Sequence, residues 1–133
     1  MQILIIDGQG GGIGKQLISA IKAKFPMHHV TAVGTNSAAT SAMLKAGADE
    51  AATGENAVVV NCRYAGVIIG PVGIAIADSL MGEITPTMAK AIGQSTAKRI
   101  LLPLNRCNTV IAGVNDVATG HLIQCVLDEL ARI

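Results

Sequence analysis

Five glycines lie within seven consecutive positions, residues 8 to 14, and this cluster directly follows the apolar run QILIID at residues 2–7. An uninterrupted apolar run that ends at a turn is typical of a strand buried on both faces of a parallel sheet. After the glycines an apolar side chain recurs at every fourth position, which predicts an amphipathic helix that stops before Pro26: Ile13, Leu17, Ile21 and Phe25. A strand, a glycine turn and a helix in succession indicate an α/β fold.

The rest of the chain continues this alternation. Further strands are predicted at residues 29–34, 49–53, 67–70 and 99–104. Helices are predicted at residues 37–46 with Ser37 as N-cap, at 86–95 with Thr85 as N-cap, and from Asn115 onward. Residues 55–65 are ambiguous, because three consecutive valines favour a strand whereas their place between two strands favours a helix. We expect the helix.

The predicted fold class is therefore a Rossmann-like three-layer α/β sandwich with a mostly parallel sheet. We also expect a hairpin near the C-terminus, because the apolar stretches 99–104 and 108–113 flank a short connection, and the last helix follows this hairpin. A chain of 133 residues has the length of one domain, so residues 1–133 are expected to form a single nucleotide-binding domain.

Composition excludes several classes of function. The net charge is +1 and Lys and Arg do not cluster, so no nucleic-acid partner is expected. Three cysteines without metal-ligand spacing predict reduced thiols, no metal site and a cytoplasmic location. We expect no signal peptide and no membrane span, because the longest uncharged stretch, residues 64–77, is short and contains Gly and Pro. Half of the residues are hydrophobic, an excess that predicts a homodimer.

The glycine cluster predicts a binding site for the phosphate of a small molecule. Glycines let the backbone turn tightly and approach an anion, and the first turn of the helix adds free N–H groups and the positive end of its dipole. The residues expected to bind a cofactor in this turn are Gly8, Gln9, Gly10, Gly11, Gly12, Ile13 and Gly14.

Two other segments are expected at the same edge of the sheet. The end of the second strand, where a site for NAD normally has an Asp or Glu, carries neutral donors that favour NADP over NAD: Thr35, Asn36 and Ser37. The fourth strand ends in a second glycine turn, which is expected to face the same crevice: Gly70, Pro71, Val72 and Gly73.

The glycine cluster resembles the phosphate-binding motifs of two protein families. The spacing Gly8-x-x-x-Gly12-Ile13-Gly14 is similar to the cofactor turn of short-chain dehydrogenases. This resemblance covers about the first 35 residues and implies NADP or NAD as the cofactor. The Tyr-x-x-x-Lys pair of those enzymes is missing, since Ile68 stands four residues after Tyr64. Gly11 to Lys15 resembles the P-loop of chromosome-partitioning ATPases, but Gly10 and Gln16 stand where that motif has Lys and Ser or Thr. A degenerate P-loop protein is a further alternative.

No residue set in the sequence identifies a reaction. Asp7 is expected to orient the glycine turn through backbone N–H groups, and the weak catalytic candidates are Asp78, Glu83 and Arg106. We therefore expect a binding or accessory protein for a nucleotide phosphate rather than a complete enzyme. The alternative is a small enzyme, oxidoreductase-like or of another kind, whose active site is completed across a homodimer interface when Asp78, Glu83 or Arg106 faces the glycine turn of a partner subunit.

Over its whole length the sequence resembles a small bacterial family known only as a domain of unknown function. The segments that carry this resemblance are GGGIG, TGENA, IIGPVGI, GEITP and LLPLN. The resemblance implies a Rossmann-like fold of about this size and brings no activity or catalytic residue with it.

Overall fold

The computed structural model of the protein describes residues 1–104 and 108–133. Its strands are β1 (Gln2–Asp7), β2 (His29–Gly34), β3 (Glu50–Thr53), β4 (Val67–Pro71) and β5 (Lys98–Leu102). Its helices are α1 (Gly12–Lys24), α2 (Ser37–Lys45), α3 (Glu55–Cys62), α4 (Pro86–Gln94) and α5 (Thr119–Ala131), and a short 3-10 turn covers Val72–Ala75. The valine-rich segment that the sequence left ambiguous is thus the helix α3.

The strands form one sheet in the order β3-β2-β1-β4-β5, and all four neighbouring pairs are parallel. The chain moves outward from β1 to β3 and then crosses back to place β4 on the other side of β1. The order therefore reverses between β1 and β4, which is where open α/β sheets bind ligands, beyond the carboxyl ends of the strands.

Helices cover both faces of the sheet, so the fold is the predicted three-layer α/β sandwich. Alternate β1 residues point to opposite faces: Ile3 and Ile5 pack with α1, α2 and α5, whereas Leu4 and Ile6 pack with α3 and α4. Both faces of β1 are buried, and this explains why its sequence is an apolar run rather than an alternating pattern.

The N-cap of α2 differs from the prediction. Asn36, and not Ser37, caps the helix: the Asn36 side-chain oxygen accepts a hydrogen bond from the Ala39 amide at 2.9 Å, and Ser37 is the first helical residue. Asparagine is as good a cap as serine, so its place one residue earlier in the chain decides which of them takes the role. The predicted cap of α4 is confirmed, because Thr85 Oγ1 accepts from the Met88 amide at 3.1 Å.

The predicted C-terminal hairpin is wrong. Residues 108–113 form no strand, and within the described residues β5 pairs only with β4. The connection expected at its tip, Asn105-Arg106-Cys107, lies outside the described residues. The failure has a physical reason: Val110 is 87% exposed, so its apolar side chain gains no burial from strand pairing. The last helix also begins later than expected, at Thr119.

Candidate functional site

Asp7 is the residue around which the glycine turn is built. It ends β1, is 2% exposed, and uses both carboxylate oxygens: Oδ1 accepts from the Gly8 amide and Oδ2 from the Gly14 amide, each at 2.8 Å. The turn is therefore tied at its first and last glycines to one buried side chain. This is the orienting role that the sequence predicts for Asp7.

Three of the glycines are required by packing within the protein. Gly11 has a left-handed φ of 73°, and a Cβ atom there would lie 2.9 Å from the Ala39 backbone. A Cβ on Gly14 would collide with the Met43 sulfur, and one on Gly8 would lie 2.7 Å from Thr35 Oγ1. Close contacts between the turn, α2 and the end of β2 thus account for part of the glycine content.

Gly10 and Gly12 are different, because each has room for a side chain. Both are exposed, and a Cβ atom at either position would meet nothing within 4 Å. Their amide N–H groups also have no acceptor within the described part of the chain, whereas the Gly11 amide donates to the Gly8 carbonyl at 2.9 Å. Two amide donors without a partner in the described residues therefore lie on exposed residues at the start of α1, where an anion could accept hydrogen bonds from them.

Glu83 lies against the same turn. It comes from the segment between β4 and α4, and its Oε1 atom accepts three hydrogen bonds: from the Gln9 amide at 2.8 Å, from Thr35 Oγ1 at 2.5 Å and from Asn36 Nδ2 at 2.8 Å. Asn36 Nδ2 also donates to the Gln9 carbonyl at 2.9 Å. The glycine turn, the end of β2 and the β4–α4 segment meet at this one carboxylate.

The pKa values of Asp7 and Glu83 are shifted in opposite directions. Burial raises the pKa of Asp7, and the negative charge of Glu83 adds to this, although amide hydrogen bonds from the turn oppose it. Burial also raises the pKa of Glu83, but hydrogen bonds from Thr35, Gln9 and Asn36 outweigh this effect and hold the pKa below its usual value. The hydrogen bonds at Glu83 therefore favour its ionised form.

The segment that carries Glu83 has a strained backbone. Asp78, Leu80 and Met81 have positive φ values of 66°, 54° and 56°, a region that side chains with a Cβ rarely adopt. A hydrogen bond from the Asp78 amide to the Ile84 carbonyl, at 2.7 Å, closes the base of the segment. Leu80 is 1% exposed, so its burial holds the strained conformation.

The second glycine turn lies at the same edge of the sheet, as expected, because β4 is the parallel neighbour of β1. The two turns do not face an empty crevice, however. Ser79 Oγ donates to the Gly73 carbonyl and Glu83 accepts from Gln9, so residues 79–83 bridge the turns. Of the four residues predicted there, Gly70, Pro71 and Gly73 are buried and Val72 is half-buried.

Two of the three catalytic candidates lie within the described residues. Asp78 is exposed and Arg106 lies outside the described residues. Glu83 contacts the glycine turn of its own chain through the Gln9 amide. The described residues hold no group of three His, Cys, Asp or Glu side chains able to bind a metal ion.

The sequence indicated Glu83 only as one acid of several after the fourth strand. Its three donors lie 47, 48 and 74 positions away in the chain, so no local pattern connects them. One signal was present: the end of β2 has neutral donors and no acid of its own, and these donors require an acceptor from elsewhere in the fold.

Comparisons with known proteins agree with this fold. The family model for "Domain of unknown function (DUF3842)" matches residues 2–133. No curated protein matches the chain. A crystal structure of a dodecameric FMN-dependent Ubix-like decarboxylase from Escherichia coli O157:H7 is similar, with a TM-score of 0.51 and 14% identity over 98% of this chain and 94% of that one. At this identity the similarity shows a shared α/β fold. In the described part of the chain, no helix is long and apolar enough to cross a membrane.

Proposed function

The chain belongs to this DUF3842 family, and we propose that it binds the phosphate of a nucleotide or dinucleotide on residues 8–14. The observation that carries the proposal is the pair of amides at Gly10 and Gly12, which have no acceptor within the described residues and belong to exposed residues where α1 begins. A phosphate accepts hydrogen bonds from such amides and is stabilised by the positive end of the helix dipole.

Rigidity of the turn supports the proposal. Asp7 binds the Gly8 and Gly14 amides, so the turn has a defined shape before a ligand arrives. A site that is already ordered loses little conformational entropy on binding. Because Asp7 is buried whereas Gly10 and Gly12 are exposed, a phosphate would bind at the exposed residues of the turn.

Two classes of ligand are proposed. The strand order β3-β2-β1-β4-β5 is that of dinucleotide-binding sheets, and a glycine turn after β1 is where such sheets hold the pyrophosphate. This favours adenine dinucleotides such as NAD and NADP. The similar decarboxylase is FMN-dependent, so FMN is the second ligand to test. The residues proposed to line the site are those at 8–14 and 35–37, together with Val72, which is the one residue of 70–73 that is not buried.

We propose a binding or accessory role rather than catalysis. Glu83 and Asp7 are both occupied by hydrogen bonds that hold the turn together, and Asp78 is exposed. The degenerate P-loop alternative has less support, because the Gln16 side chain donates to the Gly12 carbonyl of its own helix at 3.2 Å.

Substitution of Gly12 by Val tests the site. The new side chain would enter the open space above the turn without meeting protein atoms, so the fold should persist while ligand affinity is lost. Wild-type protein with a ligand at about 100 times its Kd gains about 2.7 kcal/mol, a shift of several degrees in Tm. The panel is AMP, NAD, NADP, FMN and inorganic phosphate, read by thermal shift and calorimetry.

The matched control is Gly120→Val, because Gly120 also lies in the first turn of a helix with nothing within 4 Å of a Cβ. It should bind ligand like the wild type. Equal ligand affinity of Gly12→Val and Gly120→Val would contradict the proposed site.

We also propose that the chain forms a homodimer. Exposed apolar side chains support this, among them Tyr64 at 73%, Met81 at 95% and Val110 at 87%. The similar decarboxylase is itself an oligomer. Light scattering should give twice the chain mass of 13.6 kDa, and a mass of 13.6 kDa would contradict the dimer.

A further inference from the structure

Glu83 occupies the position of an acid that the sequence lacks. In dinucleotide-binding sheets an Asp or Glu near the end of the second strand accepts hydrogen bonds from the ribose hydroxyls. Here the end of β2 continues as Gly34-Thr35-Asn36-Ser37, which contains no acid. The Glu83 carboxylate lies there instead, bound to the side chains of Thr35 and Asn36. The acid has been supplied from the segment after β4.

We propose that Glu83 selects nucleotides whose ribose has a free 2′-hydroxyl and excludes those with a 2′-phosphate. This inference rests on the proposed function, because it assigns the sugar that follows the phosphate held at Gly10 and Gly12. It reverses the preference for NADP that the neutral donors at residues 35–37 suggested from sequence.

The two oxygens of the Glu83 carboxylate differ in their hydrogen bonds. Oε1 is saturated by the three donors at Gln9, Thr35 and Asn36. Oε2 receives no hydrogen bond within the described part of the chain, and it is not among the buried atoms there that lack a partner, so solvent reaches it. A ribose hydroxyl is a donor that suits such an oxygen, since a hydrogen bond to an ionised acceptor is among the stronger ones.

A 2′-phosphate bound beside Glu83 would lie against a carboxylate of the same negative charge. Glu83 forms no ion pair with a Lys, Arg or His in the described residues, so nothing there neutralises it toward a second anion. Its donors hold it ionised, as the lowered pKa indicates. Two like charges in contact at a partly desolvated site repel each other, which lowers affinity.

The segment around Glu83 fixes the carboxylate in place. Leu80 is buried beside Gly8, with its Cδ1 atom 3.0 Å from the position of a Cβ on that glycine. The Ile84 amide donates to the Ser79 carbonyl at 3.2 Å, and Ile84 is fully buried. A strained segment held by two buried side chains is typical of a functional site, where a side chain must be aimed.

Calorimetry with matched ligand pairs tests the inference. The pairs are AMP against adenosine 2′,5′-bisphosphate, and NAD against NADP. Wild-type protein should bind the ligand without the 2′-phosphate at least about tenfold more tightly. In Glu83→Gln the amide retains the shape of the side chain but removes its charge and places a donor at one of the two oxygen positions. The preference should shrink to within about threefold, with weaker binding of AMP.

The control is Glu55→Gln, because Glu55 also accepts a hydrogen bond from a threonine hydroxyl, that of Thr85 at 2.5 Å, away from the glycine turn. This variant should keep the wild-type preference. Urea unfolding of both variants shows whether each is folded when its binding is measured.

The outcomes separate the two proposals. If wild-type protein binds AMP and its 2′-phosphorylated form equally, or if Glu83→Gln keeps the full preference, nucleotide binding stands and the role of Glu83 is overturned. Tighter binding of AMP by Glu83→Gln would likewise overturn it, since the carboxylate would then be an obstacle. If the wild type binds neither the nucleotides of the two pairs nor FMN nor inorganic phosphate, the proposed function is overturned together with this inference. Binding of FMN or phosphate alone overturns only this inference.

Discussion

Asp7→Ala should lower the free energy of unfolding by about 3 kcal/mol, because it removes the acceptor of two buried amides at once. Each buried N–H that loses its partner costs about 1–3 kcal/mol. The variant also removes a carboxylate whose burial is unfavourable, as its raised pKa indicates, and this offsets part of the loss. The same variant should bind nucleotides poorly, since the ends of the glycine turn at Gly8 and Gly14 would no longer be tied. Urea unfolding measures the first effect and calorimetry the second.

The control for Asp7→Ala is Asp128→Ala, which removes an exposed carboxylate on α5 that accepts a single surface hydrogen bond from Gln124. Its effect should stay within about 0.5 kcal/mol. If both variants unfold at the same urea concentration, Asp7 does not hold the turn and its role lies elsewhere.

Gly70→Ala should also destabilise the protein, by about 3 kcal/mol or enough to prevent folding. A Cβ at this position would collide with the main-chain carbonyl oxygen of Ile6 on the neighbouring strand and lie 2.9 Å from Ile74 Cδ1. A carbonyl in the centre of the sheet cannot move aside without separating β1 from β4. Circular dichroism and urea unfolding report the loss.

The contrasting variant is Gly93→Ala, in α4, where a Cβ meets nothing within 4 Å. Alanine is the better helix former, so this change should be neutral or should stabilise the protein by up to about 1 kcal/mol. Equal stability of Gly70→Ala and the wild type would show that β1 and β4 do not approach as closely as described.

Local patterns predicted most of the fold. Three features depend only on neighbours within one turn or strand, so the sequence displays them directly. They are the apolar run of β1, the apolar residue at every fourth position of α1 and the Thr85-Pro86 start of α4. The hairpin failed for the opposite reason. Apolar residues at 108–113 have strand propensity, but whether they pair depends on burial against the rest of the fold, and Val110 is exposed.

The candidate site was predicted in part. The glycine turn is a local feature, and the role of Asp7 follows from its place beside it. The contact of Glu83 with Thr35 and Asn36 joins segments that are distant in the chain, so only the folded arrangement reveals it. The same holds for the glycines themselves: sequence cannot separate Gly14, which packs against Met43, from Gly12, which faces open space.

The most direct test of the proposed site is a titration of ¹⁵N-labelled protein with AMP, followed by NMR of the backbone amides. We expect saturable shifts of the Gly10 and Gly12 signals, because their N–H groups would donate to the phosphate, with the Gly93 and Gly120 signals unchanged. Saturable binding that leaves Gly10 and Gly12 unshifted would place the ligand elsewhere. Absence of binding by AMP, NAD, NADP, FMN and phosphate alike would contradict a phosphate site on this turn.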